Sequence, residues 1–114
     1  MALARAQRLT DAERLRYVLR RGARAFFPGA RISVMRSSVS RYRIAVSTPK
    51  AVDKRATVRN TLRRRAAAIL RPIVSRFSIP TDVVLVFEKG AATLPFPELR
   101  AGIEAIFHKA AQSL

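Results

Sequence analysis

The sequence predicts a single α+β domain whose elements run α-β-β-β-α-β-α. Three observations carry that reading. Residues 41–47 (R-Y-R-I-A-V-S) alternate apolar and polar with period two, the mark of a strand with one buried face. Residues 82–88 (D-V-V-L-V-F-E) are continuously apolar between two acids, as in a strand covered on both faces. Two longer stretches keep helical spacing: Val58, Leu62, Ala66, Ile69 and Ile73, then Leu99, Ile103, Ile106 and Phe107. With 114 residues, 49% of them hydrophobic, the chain suffices for one domain over residues 1–114 with one core. It contains no internal repeat and no low-complexity segment.

The elements follow in order. Residues 1–8 are expected to be flexible. Thr10 or Asp11 can cap a first helix that ends near Arg21, with Gly22 in the position just past a helix end. Leu15, Val18 and Leu19 form its inner stripe. Residues 23–27 form a short strand that ends at the Pro28-Gly29 turn. Strands over 31–36 and 41–47 follow, joined by residues 37–40, a length natural for a hairpin. Thr48-Pro49 ends the third strand, and a loop over 50–56 leads to the central helix, with Thr57 as its expected cap. Pro72 is expected to kink or end that helix near Leu70. Residues 75–81 connect to the fourth strand, Gly90 opens a loop, and Pro95 and Pro97 open the last helix.

The charge is unevenly placed. The net charge is +16; between Arg14 and Thr81 stand 18 Lys or Arg and one acid, Asp53, whereas four acids and three bases follow from Asp82 onward. Such self-repulsion destabilises a small domain unless a polyanion neutralises it. Nucleic acid is the expected partner. A membrane surface is the weaker alternative, because the alanine-rich central helix lacks the large apolar rim of an interfacial helix. No apolar run approaches the ~20 residues of a membrane span. Cysteine is absent, which excludes disulfides and fits a reducing compartment. Residues 1–9 are arginine-bearing and acid-free, as in a transit peptide; most of the chain shares that composition, so a cytoplasmic location is the default. Catalytic resources are few: one histidine, His108, near the end of the last helix, no glycine-rich phosphate loop, and no pair of acids poised for proton transfer. No metal is expected on the protein.

The strongest functional signal is the start of the central helix. Arg59 and Arg63 lie four apart on one side, with Asn60 and Arg64 in the adjacent row. Cations at a helix N-terminus oppose the helix dipole, so an anion is expected there, and a phosphate chain would meet both the arginines and the free amides. Asn60 can contact a sugar or base, or brace the helix start. Lys50, Lys54 and Arg55 precede the helix within reach of the same backbone. Tyr17, Phe26, Phe27 and Tyr42 are the aromatic residues suited to stacking on unpaired bases, each with core packing as its alternative; Arg41 and Arg43 extend the positive surface. Phe77, Phe87, Phe96 and Phe107 read as core.

These residues resemble the protein component of bacterial ribonuclease P. That family carries a Ser/Ala-Lys-Lys loop and then Ala-x-x-Arg-Asn-x-x-Lys/Arg-Arg. Here the counterparts are Pro49-Lys50-Ala51 and Ala56-Thr57-Val58-Arg59-Asn60-Thr61-Leu62-Arg63-Arg64. Leu9, Leu15, Val18 and Gly22 match the spacing of a family Leu, Phe, Val and Gly. The run from Asp82 matches the fourth strand, and Leu94-x-Phe96-x-Glu98-Leu99 the opening of the last helix.

The resemblance implies an α-β-β-β-α-β-α sandwich with a left-handed β-α-β crossover, of the ribosomal protein S5 domain 2-like class. It implies an RNA-binding subunit, without catalytic residues of its own, of an enzyme whose catalytic part is RNA. That enzyme removes the 5′ leader from precursor tRNA with magnesium bound by the RNA. The implied partners are the catalytic RNA and precursor tRNA, with no protein partner required and no membrane. Lys50, Lys54, Arg55, Arg59, Asn60, Arg63 and Arg64 are the implied contacts with the catalytic RNA. A cleft between the central helix and the sheet would receive the leader, with Tyr17, Phe26, Tyr42 and Arg43 as candidates to line it. The chain departs from the family pattern at Ala51, where a second lysine is usual, at Leu15 and Leu19, where aromatics are usual, and at Pro95, where a small hydroxyl residue would cap the last helix. Two other readings of the basic surface are a ribosomal or assembly protein that binds structured RNA without taking part in cleavage, and a DNA-binding module with the central helix in a major groove. The alanines after Arg65 offer a groove few base-edge donors.

Overall fold

The last strand in the chain is an inner strand of the sheet. In the structure, a computed structural model that describes residues 4–114, four strands lie in the order β1-β2-β4-β3. They are β1 (Ala23–Phe27), β2 (Ala30–Arg36), β3 (Arg43–Ser47) and β4 (Thr81–Phe87). All seven residues of β4 are buried, which is why that segment reads as one apolar run. β1 and β2 form a hairpin across Pro28-Gly29, where Gly29 adopts φ 121°, a conformation that favours glycine.

The hairpin expected across 37–40 does not form. β4 inserts between β2 and β3, pairing antiparallel with β2 and parallel with β3. The cause lies in the strands themselves: β4, apolar from Val83 to Phe87, gains from a neighbour on each side, while the alternating β3 suits an edge. Ser37 instead donates its N–H to the Pro80 carbonyl at 2.8 Å, tying the end of β2 to the lead-in of β4. A parallel neighbour requires a crossover connection, and helix α2 (Ala56–Arg76) supplies it.

Helix α1 (Ala12–Arg21) covers one face of the sheet, where Val18 and Leu9 pack with Val84 and Val86, flanked by Leu15 and Leu19. On the other face α2 and helix α3 (Phe96–Ala111) bury Leu62, Ile69, Leu70, Ile103 and Phe107 against Ile32, Ile44 and Phe87. A 3-10 turn, Arg5–Gln7, precedes α1, and Arg8 bridges to Ile44; of the stretch expected to be flexible, residues 1–3 lie outside the described residues. A second 3-10 turn, Ala91–Thr93, occupies the loop after Gly90.

Two local expectations are narrowed and two are corrected. Asp11, rather than Thr10, caps α1, accepting from the amides of Glu13 and Arg14. Gly22 stands just past the end of α1 as expected, with φ −68°. Glycine is needed there because a Cβ would sit 2.6 Å from the Val18 carbonyl and 2.8 Å from that of Val34, so α1 and β2 approach through it. Thr57 is not the cap of α2; Asp53 accepts from the Arg55 amide at 2.8 Å, and this turn starts the helix at Ala56. Finally, α2 runs through Pro72 to Arg76. The proline removes a bond to the carbonyl of Ala68, an exposed residue, and water can replace it. Its cost of about 3 kcal/mol is offset by burial of Leu70 and Val74 and partial burial of Ile73, worth about 1.5–3 kcal/mol for each fully buried side chain.

Phe87 and Phe107 are fully buried, and Phe77, half-buried, meets Phe107 edge-on at 5.7 Å. Phe96 is not core: it is exposed, with the Arg65 guanidinium 5.4 Å from its ring centre. As the first residue of α3 it precedes the buried stripe that begins at Leu99.

Candidate nucleic-acid interface

The loop before α2 is anchored at one end and charged at the other. Val52 is buried in the core and donates its amide to the Pro49 carbonyl at 3.0 Å. Asp53 pairs with Arg55 at 2.9 Å. The side-chain hydrogen bond from Arg55, followed by the Arg55 amide, lowers the Asp53 pKa to about 2. Arg59 reaches back from the first turn of α2, and its Nη1 donates to the carbonyls of Asp53 (2.9 Å) and Lys54 (2.8 Å). One guanidinium nitrogen therefore binds loop to helix, while Nε and Nη2 take no protein acceptor among the described residues. Asn60 accepts from Nη2 of Arg63, so its carbonyl braces an arginine. No acid stands in the first turn of α2 and no side chain caps it. The open amides at that end, with exposed Lys50, Lys54, Arg55 and Arg64 around them, form a field that attracts anions.

Beside this helix start lies a cleft of about 470 Å³. Its walls include Leu9 and Leu15 from the N-terminal side, Ala45 and Val46 from β3, and Arg63 and Arg64 from α2. Sequence and topology together create it. β3 is an edge strand, and the N-terminal segment seals only part of its free edge: the Leu9 amide donates to the Ile44 carbonyl at 3.0 Å. Beyond Ile44 the edge is open between α1 and α2. The floor and one wall are aliphatic, and the other wall carries two guanidiniums. Such a cleft suits a chain with apolar faces and an anionic backbone.

Of the candidate residues, Arg63 and Arg64 line this cleft, and Lys50, Lys54, Arg55, Arg59 and Asn60 gather around the adjoining helix start. The four candidates for the cleft lie elsewhere. Phe26, 78% exposed, stands on β1, the opposite edge of the sheet, three strand spacings or about 14 Å away. Tyr17 projects from α1 among Arg14 and Arg20. Tyr42 packs partly into the core on the α2 side and borders a hollow at the far end of that helix.

Arg43 is taken up by Asp82. Its Nε and Nη2 donate to the two carboxylate oxygens at 2.9 and 2.7 Å, and Arg14 Nε adds a third bond at 2.9 Å. Asp82 is fully buried. Burial pushes its pKa upward, but the bonds from Arg43 and Arg14 outweigh burial and hold it below the ordinary carboxylate value. The group ties α1, β3 and β4 together at one wall of the sandwich. This is a structural role, written into residues 14, 43 and 82 that no local pattern links.

Sequence reasoning did not single out Ala45 and Val46 as cleft residues. The signal available was Ala45, a small side chain between Ile44 and Val46 on the face of the strand that packs toward α1. His108 is exposed and stacks edge-on against Phe107. Among the described residues no three His, Cys, Asp or Glu gather as a metal site, and no helix is long and apolar enough to cross a membrane.

Comparison with known proteins agrees with this fold. The family model described as Ribonuclease P matches residues 3–111. The structure resembles the RNase P protein of Staphylococcus aureus with a TM-score of 0.82 at 14% identity, covering 93% of this chain and 96% of that one. It also resembles the RNase P protein of Thermotoga maritima, solved in complex with 1-(4-fluorophenyl)-2-thiourea, with a TM-score of 0.74 at 17% identity, covering 86% and 94% respectively. At these identities the likeness is one of fold. No curated protein sequence matches the chain.

Proposed function

The chain belongs to the ribonuclease P protein family, and on that premise we propose that it is the non-catalytic, RNA-binding subunit that assists a catalytic RNA in removing the 5′ leader of precursor tRNA. The observation that carries the reading is the continuity of two features: the basic start of α2 runs directly into the arginine wall of the cleft. One RNA can lie on the helix start while a second, single-stranded segment lies in the cleft.

The chain's part is electrostatic and positional. Lys50, Lys54, Arg55 and Arg64 neutralise phosphates of the catalytic RNA, each releasing counterions. Arg59 holds the loop that presents two of these lysines. Arg63, braced by Asn60, faces the leader backbone bidentately, and Leu15, Ala45 and Val46 pack against ribose and base faces. Because the described walls of the cleft hold no aromatic side chain, the leader is gripped mainly through its backbone, with little preference among bases. The hydrolytic step belongs to magnesium ions bound by the RNA. The site of action is the cytoplasm, where precursor tRNA is met.

The test is 5′ processing of a precursor tRNA by its cognate catalytic RNA at low magnesium, with and without the protein. Stimulation by the wild type that is lost in Arg63→Ala/Arg64→Ala supports both the function and the site. No stimulation by folded protein would point instead to a protein that binds structured RNA without a role in cleavage.

A further inference from the structure

We propose that the outward face of α1 is a second RNA-contact surface, built for the phosphate backbone of a double-helical RNA segment. This goes beyond the function proposed above, because none of its residues borders the cleft. Val18 faces the sheet, which turns Arg16, Tyr17 and Arg20 to solvent; all three are exposed, as are Arg21 and Arg24. Arg24 Nη2 donates to the Arg20 carbonyl at 2.8 Å, so the first residues of β1 add a further guanidinium to the C-terminal end of the helix. Among the described residues no carboxylate lies within ion-pair distance of Arg16, Arg20, Arg21 or Arg24.

The arrangement opposes folding in isolation. Arg16 and Arg20 are like charges one turn apart, a destabilising spacing. Arg20 and Arg21 also face the negative end of the helix dipole, and Arg24 bonds the Arg20 carbonyl there, which accounts for those three charges; it does not account for Arg16. A polyanion does. The Arg14 and Arg20 guanidinium carbons lie 5.5 and 5.7 Å from the Tyr17 ring centre, so cations crowd the ring where a base would have to stack. Tyr17 therefore orders the Arg20 guanidinium for phosphate, that of Arg14 being held by Asp82, rather than offering a platform to unpaired bases. A row of guanidiniums about 6 Å apart along a helix, without a free ring, fits the regular backbone of a duplex. Since α1 and α2 lie on opposite faces of the sheet, this surface and the start of α2 face apart, and the protein can hold two RNA segments at once.

The full-length protein is titrated with a short blunt RNA duplex at several salt concentrations. In Arg16→Glu/Arg20→Glu the affinity should fall about tenfold or more, and the dependence of log K on log salt should flatten by nearly two, one contact for each arginine. The control is Arg100→Glu/Lys109→Glu on α3, which changes the net charge equally; it should leave most of the affinity in place. Both pairs are exposed, and unchanged melting curves verify the fold. Equal losses in the two variants would overturn the proposal, since the effect would then be one of net charge. It is overturned as well if single-stranded RNA of the same length binds more tightly than the duplex and Phe26→Ala removes that preference. The probe is a plain duplex, so the result stands apart from whether the protein stimulates 5′ processing.

Discussion

Asp82→Asn is the substitution that probes the sandwich most directly. The wild-type carboxylate is fully buried and takes three hydrogen bonds of 2.7–2.9 Å from Arg43 and Arg14, whose side chains are themselves only 13% and 17% exposed. An asparagine can place its oxygen toward two of these donors, but its NH₂ then points at the third, donor against donor. The charge that balanced two guanidiniums is also gone. Removing one partner from a buried ion pair costs about 3–5 kcal/mol; because the arginines keep some contact with water and the amide keeps two bonds, we expect about 3 kcal/mol. At about 4 °C per kcal/mol for a chain of this length, the melting temperature should drop by about 12 °C. The pH dependence gives an independent check. Asp82 in the folded protein lies below its ordinary value of 3.8, so the unfolded chain takes up the proton first as pH falls. The carboxylate's contribution is complete above about pH 4 and is lost as pH falls through the depressed folded value. The two proteins should therefore converge in stability on acidification. Thermal and urea melts followed by circular dichroism, at pH 7 and at pH 3, measure both effects. A loss under about 1 kcal/mol at neutral pH, or a gap that stays constant into acid, would refute the reasoning.

Other outcomes follow from contacts described above. Gly22→Ala should destabilise by about 1–3 kcal/mol in a urea melt, because its Cβ would meet the backbone of Val18 and Val34, neither of which is a flexible side-chain end. Pro72→Ala should stabilise by about 1–2 kcal/mol in the same assay, restoring the bond to the Ala68 carbonyl at the expense of some unfolded-state freedom. Arg59→Ala and Arg64→Ala should differ in kind: both weaken binding to the catalytic RNA in a filter-binding titration, but Arg64→Ala should flatten the salt dependence by about one contact. Arg59→Ala should act mainly by releasing the loop, and Arg59→Lys should restore part of the affinity.

Much of this was legible in the residues. The period of Ile44 and Val46, and the helical spacing from Leu99 to Phe107, located elements because burial on one face leaves a repeat that local sequence must carry. The basic start of α2 was legible for the same reason: its cations are consecutive. What stayed hidden is non-local. A run such as Val83–Phe87 says that both faces are covered but not which strands flank it, and the short connection at 37–40 suggested a hairpin that β4 forestalls. Gly22 looked like a helix terminator, yet the need for glycine comes from Val34, which passes close by from another element. Arg43 looked free because Asp82, its partner, is 39 positions away. The lining of the cleft escaped for a further reason: it is defined by what is missing beside β3, and an absence between three elements leaves no repeat in any of them.

The placement of β4 has a consequence for synthesis. Strand β3 leaves the ribosome before β4 exists, and the partner it pairs with is separated from it by the whole of α2. β2 likewise lacks its second neighbour until residues 81–87 emerge. A nascent chain that stops short of β4 can close the β1–β2 hairpin and coil α2, but it has no sheet on which to lay them, and its contacts of highest sequence separation form last. During that interval the emerging segment is also the most basic part of the molecule, held beside ribosomal RNA. The step that commits the chain to its fold is thus the arrival of a seven-residue strand, five of its residues Val, Leu or Phe, near its far end.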